Sequence, residues 1–343
     1  IMAVGISSGG GTGSSAIETS YIQLYNDGFQ QQFQQMDTRF AKYFDVVSQD
    51  SEFQYYERMG VGDELVSDNV RYADNPVSEI SVDRRQIGLD DYHQGNYVEM
   101  KDLIRLASDP TNSYVTALTA AAHRKMDKIV LDAIFGSAKT GKSGGTSVAF
   151  VGTNSDKITV GALSAGVSRP ITTAGNFTLQ SGDAEGIDIA VDFVAGGAAS
   201  NSGITLDKLK AARFTMERLE AVDADETLDC WITSSQAEQL LGIDEVINSD
   251  FATRKALAEG QATTFMNFRF LRSELLKGAG TAGDPRQVIV AKQEALKVAY
   301  GKDLGIEMWR DGSKRNQPYM YLSLSMGATR MAGEVTCKIN CLD

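Results

Sequence analysis

The stretch DPTNSYVTALTAAAHRKMDKIVLDAIF, residues 109–135, carries the longest regular pattern in the chain. Its apolar residues recur three or four positions apart, which is the period of one face of an α-helix. These residues are Val115, Leu118, Ala122, Met126, Ile129 and Ala133. Asp109 is a good N-cap, and Pro110 loses no hydrogen bond at the first helical position. The pattern predicts one helix over about 110–135, roughly 40 Å long at 1.5 Å per residue.

Before this helix, residues 53–98 carry short stretches rich in β-branched and aromatic residues, among them FQYYERM and EISVDRRQIGL. This texture predicts an extended β-arm. Because a two-stranded arm is barely stable alone, we expect it to lie on another surface. Arg84 and Arg85 on the arm are candidate partners for carboxylates of an adjacent subunit. The alternative is that both are solvated charges.

Residues 1–52 begin with a glycine- and serine-rich arm that lacks the basic and apolar regions of a secretory signal. A stripe of apolar residues with helical spacing follows, and it consists of Ile22, Tyr25, Phe29, Phe33, Met36, Phe40 and Tyr43. The stripe predicts an amphipathic helix. This helix packs either on the chain's own core or on a neighbouring subunit, and in the second case Phe29 and Phe33 are the candidate contacts.

The stretch GSAKTGKS, residues 136–143, matches the phosphate-binding pattern GxxxxGK[ST]. The matching positions are Gly136, Gly141, Lys142 and Ser143. A genuine phosphate loop leaves a strand and enters a helix, whereas this stretch follows a helix and precedes two further glycines. We therefore interpret Gly136 as a helix stop and the pattern as a turn. A nucleotide-hydrolysing enzyme is the alternative that depends on this stretch.

The next two segments differ in composition and in hydrophobic pattern. Residues 144–203 are rich in Gly, Ala, Ser and Thr, with short β-like pieces, and predict a β insertion. Residues 204–286 start with a helical pattern at Thr205 and continue with a buried strand, LDCWI, and a short helix that Gly242 ends. Ser235 and a glutamate three residues later predict a capping box for that helix. Strand, cap and helix in succession are typical of an α/β domain.

From residue 287 to residue 343 the sequence is mostly strand-like, with apolar residues alternating with small or polar ones. We expect these strands to form a sheet that packs against the long helix. Residues 99–143 and 287–343 would then belong to one domain, and residues 204–286 to another.

The composition limits the possible chemistry. The formal net charge of −12 argues against tight wrapping of nucleic acid. Three cysteines without a CxxC pair suggest neither a disulfide framework nor a zinc site, and two histidines offer little for catalysis. The most apolar later stretch, IDIAVDFVAGGAA, is too short and too charged for a membrane helix. We therefore expect no enzymatic activity, no cofactor, no metal and no membrane contact.

The order of these elements resembles that of tailed-phage major capsid proteins of the HK97-like fold. Three stretches carry the resemblance, namely WITSSQAEQLL (231–241), DRRQIGLDDYHQGNYV (83–98) and SLSMGATRMAGEVTCKI (323–339). The resemblance implies an α+β fold. Its parts would be an N-terminal arm (1–52), an extended β-hairpin called the E-loop (53–98), a peripheral domain with a spine helix (99–143 and 287–343), a β insertion (144–203) and an axial domain (204–286).

The same resemblance implies a major capsid protein that self-assembles, as hexamers and pentamers, into an icosahedral shell around double-stranded DNA. It further implies contacts with a portal and with scaffold or decoration proteins, and DNA binding without sequence specificity. The protein would be located in the virion after assembly in the host cytoplasm. A compartment shell similar to encapsulins is an alternative, and a nucleotide-hydrolysing enzyme is another.

Overall fold

The protein is described by a computed structural model. The structure describes residues 37–60, 77, 80, 82–97, 111–150, 157–160, 171–173, 184–189, 202–243, 264–281 and 283–343. Its strands are β1 (Asp45–Ser48), β2 (Phe53–Met59), β3 (Val82–Gly88), β4 (Asp90–Tyr97), β5 (Ala138–Thr140), β6 (Thr146–Phe150), β7 (Lys157–Val160), β8 (Ile171–Thr173), β9 (Ala184–Glu185), β10 (Ile187–Ile189), β11 (Leu228–Ile232), β12 (Thr264–Phe265), β13 (Phe268–Arg272), β14 (Arg286–Ala291), β15 (Leu296–Asp311), β16 (Gln317–Arg330) and β17 (Thr336–Cys341). Its α-helices are α1 (Thr111–Ile134), α2 (Leu206–Arg218) and α3 (Ser234–Leu241).

Helix α1 confirms the long helix that the apolar spacing predicts, and the predicted cap at Asp109 and Pro110 lies outside the described residues. Its 24 residues span about 36 Å. Leu118 and Ala122 pack on β16 beside Leu322, while Met126 and Val130 face the main core. The helix therefore joins two hydrophobic clusters.

Helix α1 lies against a four-stranded sheet with the order β1-β15-β16-β4. Strands β15 and β16 form a long antiparallel hairpin, and β4 pairs antiparallel with β16 over eight residues, from Tyr97↔Tyr319 to Asp90↔Met326. Residues 53–98 were predicted to form the arm, but β4, the last strand of that segment, lies in this sheet beside β16.

The largest sheet has eight strands in the order β12-β13-β11-β14-β17-β10-β7-β8. Strand β11 is buried along its whole length, as the apolar stretch LDCWI predicts. Strands β14 and β17 extend this sheet, although they come from the segment 287–343 that was expected to pack on the long helix. The C-terminal strands therefore divide between two sheets, and one sheet crosses the expected boundary at residue 286.

A five-stranded sheet with the order β2-β3-β5-β6-β9 forms the base of the arm. The segment 144–203, which was expected to be a separate insertion, contributes strands to both larger sheets. Strands β6 and β9 join the arm's sheet, while β7, β8 and β10 join the eight-stranded sheet. Its described strands therefore complete sheets whose other members come from elsewhere in the chain.

The segment that enters the body at residue 37 differs from the prediction. The amphipathic pattern continues to Tyr43, but residues 37–40 are not helical and only Ala41–Tyr43 form a short 3-10 helix. The cause is Asp127 on α1, whose buried carboxylate accepts hydrogen bonds from the backbone N–H groups of Arg39 and Phe40 at 2.9–3.1 Å. These bonds satisfy the backbone without a helix.

Aromatic side chains of the same segment surround Trp231. Phe40 and Phe44 stack on its ring with centroid distances of 5.6 and 5.4 Å, and Tyr43 meets it edge-on at 5.8 Å. Trp231 also donates a hydrogen bond from Nε1 to the carbonyl oxygen of Arg39 at 3.3 Å. Burial of large aromatic rings contributes much to core stability, so this segment is firmly held.

The helix caps agree with the prediction in part. Thr205 caps α2 as expected, and Gly242 ends α3. The capping box of α3 is formed by Thr233 and Gln236, not by Ser235 and the glutamate at position 238. Thr233 and Gln236, two positions before the predicted pair, also match the capping-box pattern. This pattern accepts Thr or Ser at the cap and Gln or Glu three residues later.

Candidate interaction surfaces

The β2–β3 arm presents an outer face with little cover from the described chain. Alternate residues of β2 are exposed, and Met59 is 75% exposed. Its neighbour across the strands is Val82, which is 54% exposed. Phe53 and Tyr55 continue the same face. Large apolar side chains grouped in this way on a strand at a sheet edge indicate a surface that another chain covers.

Arg84 and Arg85 have different positions on this arm. Arg84 is exposed and forms an ion pair with Glu57, directly opposite on β2, at 2.8 Å. Arg85 is fully buried and lies 3.2 Å from the carboxylate of Asp83. A buried side chain offers no surface to another subunit, so the prediction that Arg85 contacts an adjacent subunit is wrong. The contact expected for Arg84 stays a prediction, and Phe29 and Phe33 lie outside the described residues.

The base of the arm is fixed to the body. Residues Arg85 and Gln86 of β3 pair with Thr140 and Lys139 of β5. On the other strand, Arg58 forms an ion pair with Glu334. The arm is therefore attached to the body through both of its strands.

The tip of the β15–β16 hairpin carries a second exposed group of aromatic side chains. Trp309 is 44% exposed and Tyr97 is 41% exposed. Tyr319 lies between them, with centroid distances of 5.0 Å to Trp309 and 4.4 Å to Tyr97. Tyr97 donates a hydrogen bond to Asp311 at 2.8 Å, which raises the pKa of Tyr97. These contacts connect β4 to both strands of the hairpin tip.

The stretch GSAKTGKS forms a β-hairpin. Strand β5 begins at Ala138, two residues after Gly136, and pairs antiparallel with β6 through a turn at residues 141–145. Gly141 and Gly144 adopt positive φ angles of 87° and 70°, which the turn needs and L-residues rarely adopt. No helix follows the turn, so a helix N-terminus is not available to bind phosphate. This geometry supports the interpretation as a turn.

In the described part of the chain, the cysteines are buried and the side chains that could bind a metal are dispersed. Among the described residues no three His, Cys, Asp or Glu side chains are grouped closely enough to hold a metal ion. Cys230, Cys337 and Cys341 are fully buried free thiols. Burial raises the pKa of Cys230 and Cys337 well above the ordinary value and that of Cys341 to about 11. Protonated, inaccessible thiols are poor nucleophiles and ligands.

In the part of the chain that the structure describes, no helix is long and apolar enough to cross a membrane.

Several residues that position these surfaces were not identified from the sequence. Asp127 fixes the entry segment, and Arg330 links β16 to the end of α1 through hydrogen bonds to Ile134 and Gly136. Both are charged residues inside otherwise regular patterns. A periodicity argument assigns such residues to the solvent face, because it contains no information about a distant backbone partner.

A model of the family described as phage capsid protein matches residues 17–343. A search of curated proteins finds no significant match.

Solved structures give extensive similarity. The capsid protein of cyanophage P-SCSP1u is 15% identical, with a TM-score of 0.68 over 95% of this chain and 94% of that chain. That of cyanophage Pam1 is 12% identical, with a TM-score of 0.65 over 94% and 97%. The capsid of a native GTA particle is 13% identical, with a TM-score of 0.60 over 98% and 100%. The similarity confirms the predicted HK97-like α+β fold.

Proposed function

This chain belongs to the phage capsid protein family, and from that membership we propose that many copies assemble, as hexamers and pentamers, into an icosahedral shell that encloses double-stranded DNA. The protein is a component of the virion. The observation that carries the proposal is the β2–β3 arm, whose base is fixed to the body while its outer face exposes apolar side chains. Such an arm suits a protein that overlaps its neighbours.

The arm contributes to assembly by burial of its outer face. Met59 and Val82 lie side by side and are more than half exposed in the single chain. Covering apolar surface contributes about 25 cal/mol per Å². One contact of this size is weak, but each copy in a closed shell makes it repeatedly, so many weak contacts together stabilise the particle.

The acidic character of the chain suits the enclosed genome. With a net charge of −12 the protein repels the DNA backbone overall. We expect contact with DNA to be local and independent of sequence, since specific binding needs groups aimed at base edges. Overall repulsion combined with local contacts would let the shell enclose DNA without binding it tightly.

Further partners and the place of assembly belong to the same proposal. We expect contacts with a portal and with scaffold or decoration proteins, and assembly in the host cytoplasm before the particle is complete. We also propose that the chain has no enzymatic role. The buried thiols support this view because they are inaccessible, and the hairpin at GSAKTGKS supports it because no helix N-terminus follows the turn.

The proposal is tested by negative-stain electron microscopy and sedimentation of the full-length chain and of its Met59→Asp variant. We expect closed shells from the parent chain. A charge on the arm's outer face has to be desolvated in a contact, so Met59→Asp should stay folded and remain as small species. Phe214→Asp is the matched control, because Phe214 is 52% exposed on α2, and it should form shells. Only small species from the parent chain, with and without scaffold, would contradict the proposal.

A further inference from the structure

One side of helix α1 carries positive charge toward the solvent. Successive helical residues are rotated by about 100°, which places Lys128 about 40° from Arg124 and about 60° from Lys125 around the helix axis. Lys128 is exposed, and Arg124 and Lys125 are partly buried. These three residues form a basic stripe on a chain whose net charge is −12. The stripe is therefore a local exception to the acidic character of the protein.

The two acidic residues of α1 have partners outside the basic stripe. Asp127 is buried, and its carboxylate accepts hydrogen bonds from backbone N–H groups of the segment that enters the body at residue 37. Asp132 is half exposed, and its carboxylate lies 2.5 Å from the ammonium group of Lys277. The charge of Asp132 is thus balanced by a lysine from another part of the chain.

Strand β4, which faces α1 across a groove, carries two more carboxylates. Asp90 accepts a hydrogen bond from Tyr92 at 3.4 Å, and Asp91 accepts one from Ser325 at 2.6 Å. Lys125 lines the same groove as Asp91 and lies over the ring of Tyr92, with its ammonium group 4.3 Å from the ring centroid. A contact with an aromatic ring positions an ammonium group without neutralising its charge.

Lys128 and the small residues beside it leave room for a large anion. Among the residues that the structure describes, Lys128 has no partner in a hydrogen bond or an ion pair. Ala117 and Ala121 lie on the same side of α1, toward its N-terminus. Because their side chains are short, a rigid molecule can lie along this side of the helix and still reach the lysine side chains.

Double-stranded DNA is the polyanion whose chemistry fits this surface. It carries one negative charge per about 1.7 Å of its axis, so several phosphates come within reach of a stripe that is about 6 Å long. A lysine binds a phosphate as a point charge and reads no base. The proposed function also makes DNA the polyanion that an enclosing shell meets at the highest local concentration.

We propose that Lys125 and Lys128, together with Arg124, bind the phosphate backbone of the enclosed DNA, so that this side of α1 faces the interior of the shell. The inference rests on the proposed function and names the surface that makes the local DNA contact. A few phosphate contacts per copy are weak. Repeated around a shell, they hold the outermost DNA at the wall, while the acidic remainder of the chain limits adhesion.

The salt dependence of DNA binding tests the basic stripe. Unassembled full-length chains, both the parent and a variant with Lys125→Gln and Lys128→Gln, are titrated with two short duplexes of unrelated sequence at several salt concentrations. Loss of two phosphate contacts should reduce the slope of log K against log salt by about 1.8. Between about 50 and 200 mM salt, the affinity of the parent should therefore fall about tenfold more than that of the variant. Both duplexes should give the same result.

The matched control removes the same charge elsewhere. Lys210 on α2 and Lys314 in the turn between β15 and β16 are exposed, so Lys210→Gln with Lys314→Gln changes the net charge equally. The slope for this control should equal that of the parent chain. Circular dichroism and thermal midpoints verify that both double variants fold. If loss of the contact between Lys125 and Tyr92 disturbs folding, Lys128→Gln alone is measured, with an expected reduction of about 0.9 in the slope.

Lysine labelling tests the same contact inside particles. Empty and DNA-filled shells are treated with an amine-reactive reagent, and the modification of Lys128 is measured by mass spectrometry after digestion. Lys128 should be labelled at least about threefold less in filled shells, because a phosphate covers its ammonium group. Labelling of Lys210 and Lys314 should be the same in both. Equal labelling of Lys128 in empty and filled shells would overturn the inference.

Two results of the titration would also overturn it. One is a slope that the stripe variant leaves unchanged or that the control reduces equally. The other is tighter binding of polyglutamate than of DNA, lost in the stripe variant, which would assign the stripe to an acidic protein. Electron microscopy separates these outcomes from a failure of the proposed function. Shells that enclose DNA with an unchanged slope refute the stripe alone. If the parent chain forms no shells, the slope for unassembled chains still decides whether the stripe binds DNA.

Discussion

Arg330 donates a hydrogen bond from Nη1 to the carbonyl oxygen of Ile134, the last residue of α1, at 3.1 Å. The same nitrogen lies 2.7 Å from the carbonyl oxygen of Gly136, and Nη2 donates to that of Val148 at 3.1 Å. The Arg330 side chain is fully buried. One guanidinium group therefore caps the helix, where carbonyl groups lack intrahelical partners, and joins it to β16 and the hairpin.

Replacing Arg330 with Met should lower the free energy of unfolding by about 3 kcal/mol, because two buried carbonyl groups and one half-buried carbonyl group lose a charged donor. The midpoint of urea unfolding of unassembled chains measures the change. Arg310→Met is the control; Arg310 is exposed on β15, and its loss should change the free energy by less than about 0.5 kcal/mol. Equal midpoints for the two variants would show that the cap contributes nothing.

Replacing Asp127 with Ala should release the segment that enters the body at residue 37. The backbone N–H groups of Arg39 and Phe40 lose their acceptor, at a cost of about 2 kcal/mol. Limited trypsin digestion should then cut after Arg39 much faster than in the parent chain. Asp132→Ala removes only an exposed ion pair with Lys277 and should leave the cleavage rate unchanged. Slow cleavage of both variants would contradict the role of Asp127.

The buried thiols should make stability fall in alkaline solution. Burial raises the pKa of Cys341 to about 11, whereas the thiol in the unfolded chain ionises near pH 8.5. Stability is complete below about pH 8.5, where both states keep the proton. It falls between about pH 9 and 11, because only the unfolded state then releases the proton.

The pH dependence of urea unfolding measures this effect. Cys341→Ala should make the decline between pH 9 and 10.5 shallower by up to about 1.4 kcal/mol per pH unit. The comparison of slopes removes any constant loss caused by the smaller side chain. Parallel slopes for the parent and the variant would mean that this thiol ionises equally in both states.

The Arg84–Glu57 ion pair allows a test of whether Arg84 also contacts a neighbouring subunit. Because both side chains are exposed, exchanging them as Arg84→Glu with Glu57→Arg should change the free energy of unfolding by less than about 1 kcal/mol. If Arg84 meets a neighbour's carboxylate, the exchanged chain should fold but assemble poorly. Normal shells from the exchanged chain would restrict the pair to a role within the arm.

The hairpin at GSAKTGKS predicts a contrast between two neighbouring substitutions. Lys142 is exposed in the turn, so Lys142→Ala should affect neither stability nor assembly, and the parent chain should not bind ATP in equilibrium dialysis. Gly144→Ala should lower the free energy of unfolding by about 1 kcal/mol or more, because φ is +70° there and the added methyl group meets Gln86. ATP binding that Lys142→Ala abolishes would restore the enzyme hypothesis.

Local patterns predicted most of the elements because they depend on neighbours in the sequence. Helix α1 and strand β11 are found where apolar spacing places them, since both bury a continuous stripe or run. The turn at GSAKTGKS could also be recognised, because its context contradicts a phosphate loop. These features need no knowledge of distant residues.

Long-range partners account for what the sequence did not reveal. Residues 37–40 are not helical because the carboxylate of Asp127 binds the backbone of this segment, and no residue near position 40 indicates this in the sequence. Arg85 and Arg84 are identical neighbours in the sequence, yet strand alternation buries one and exposes the other. The register of β3 on β5 determines which of the two arginines is buried. That register is set by residues about 50 positions away in the sequence.

Strand β17 lies between β14 and β10 and follows both in the chain. Without it, the eight-stranded sheet separates into β12-β13-β11-β14 and β10-β7-β8. During synthesis on the ribosome, these two halves have to wait for the last strand before they can join. Contacts between residues far apart in sequence form slowly. A chain without β17 therefore leaves the edges of β14 and β10 open, and open strand edges can pair with other chains. Strand β17 closes both edges at once.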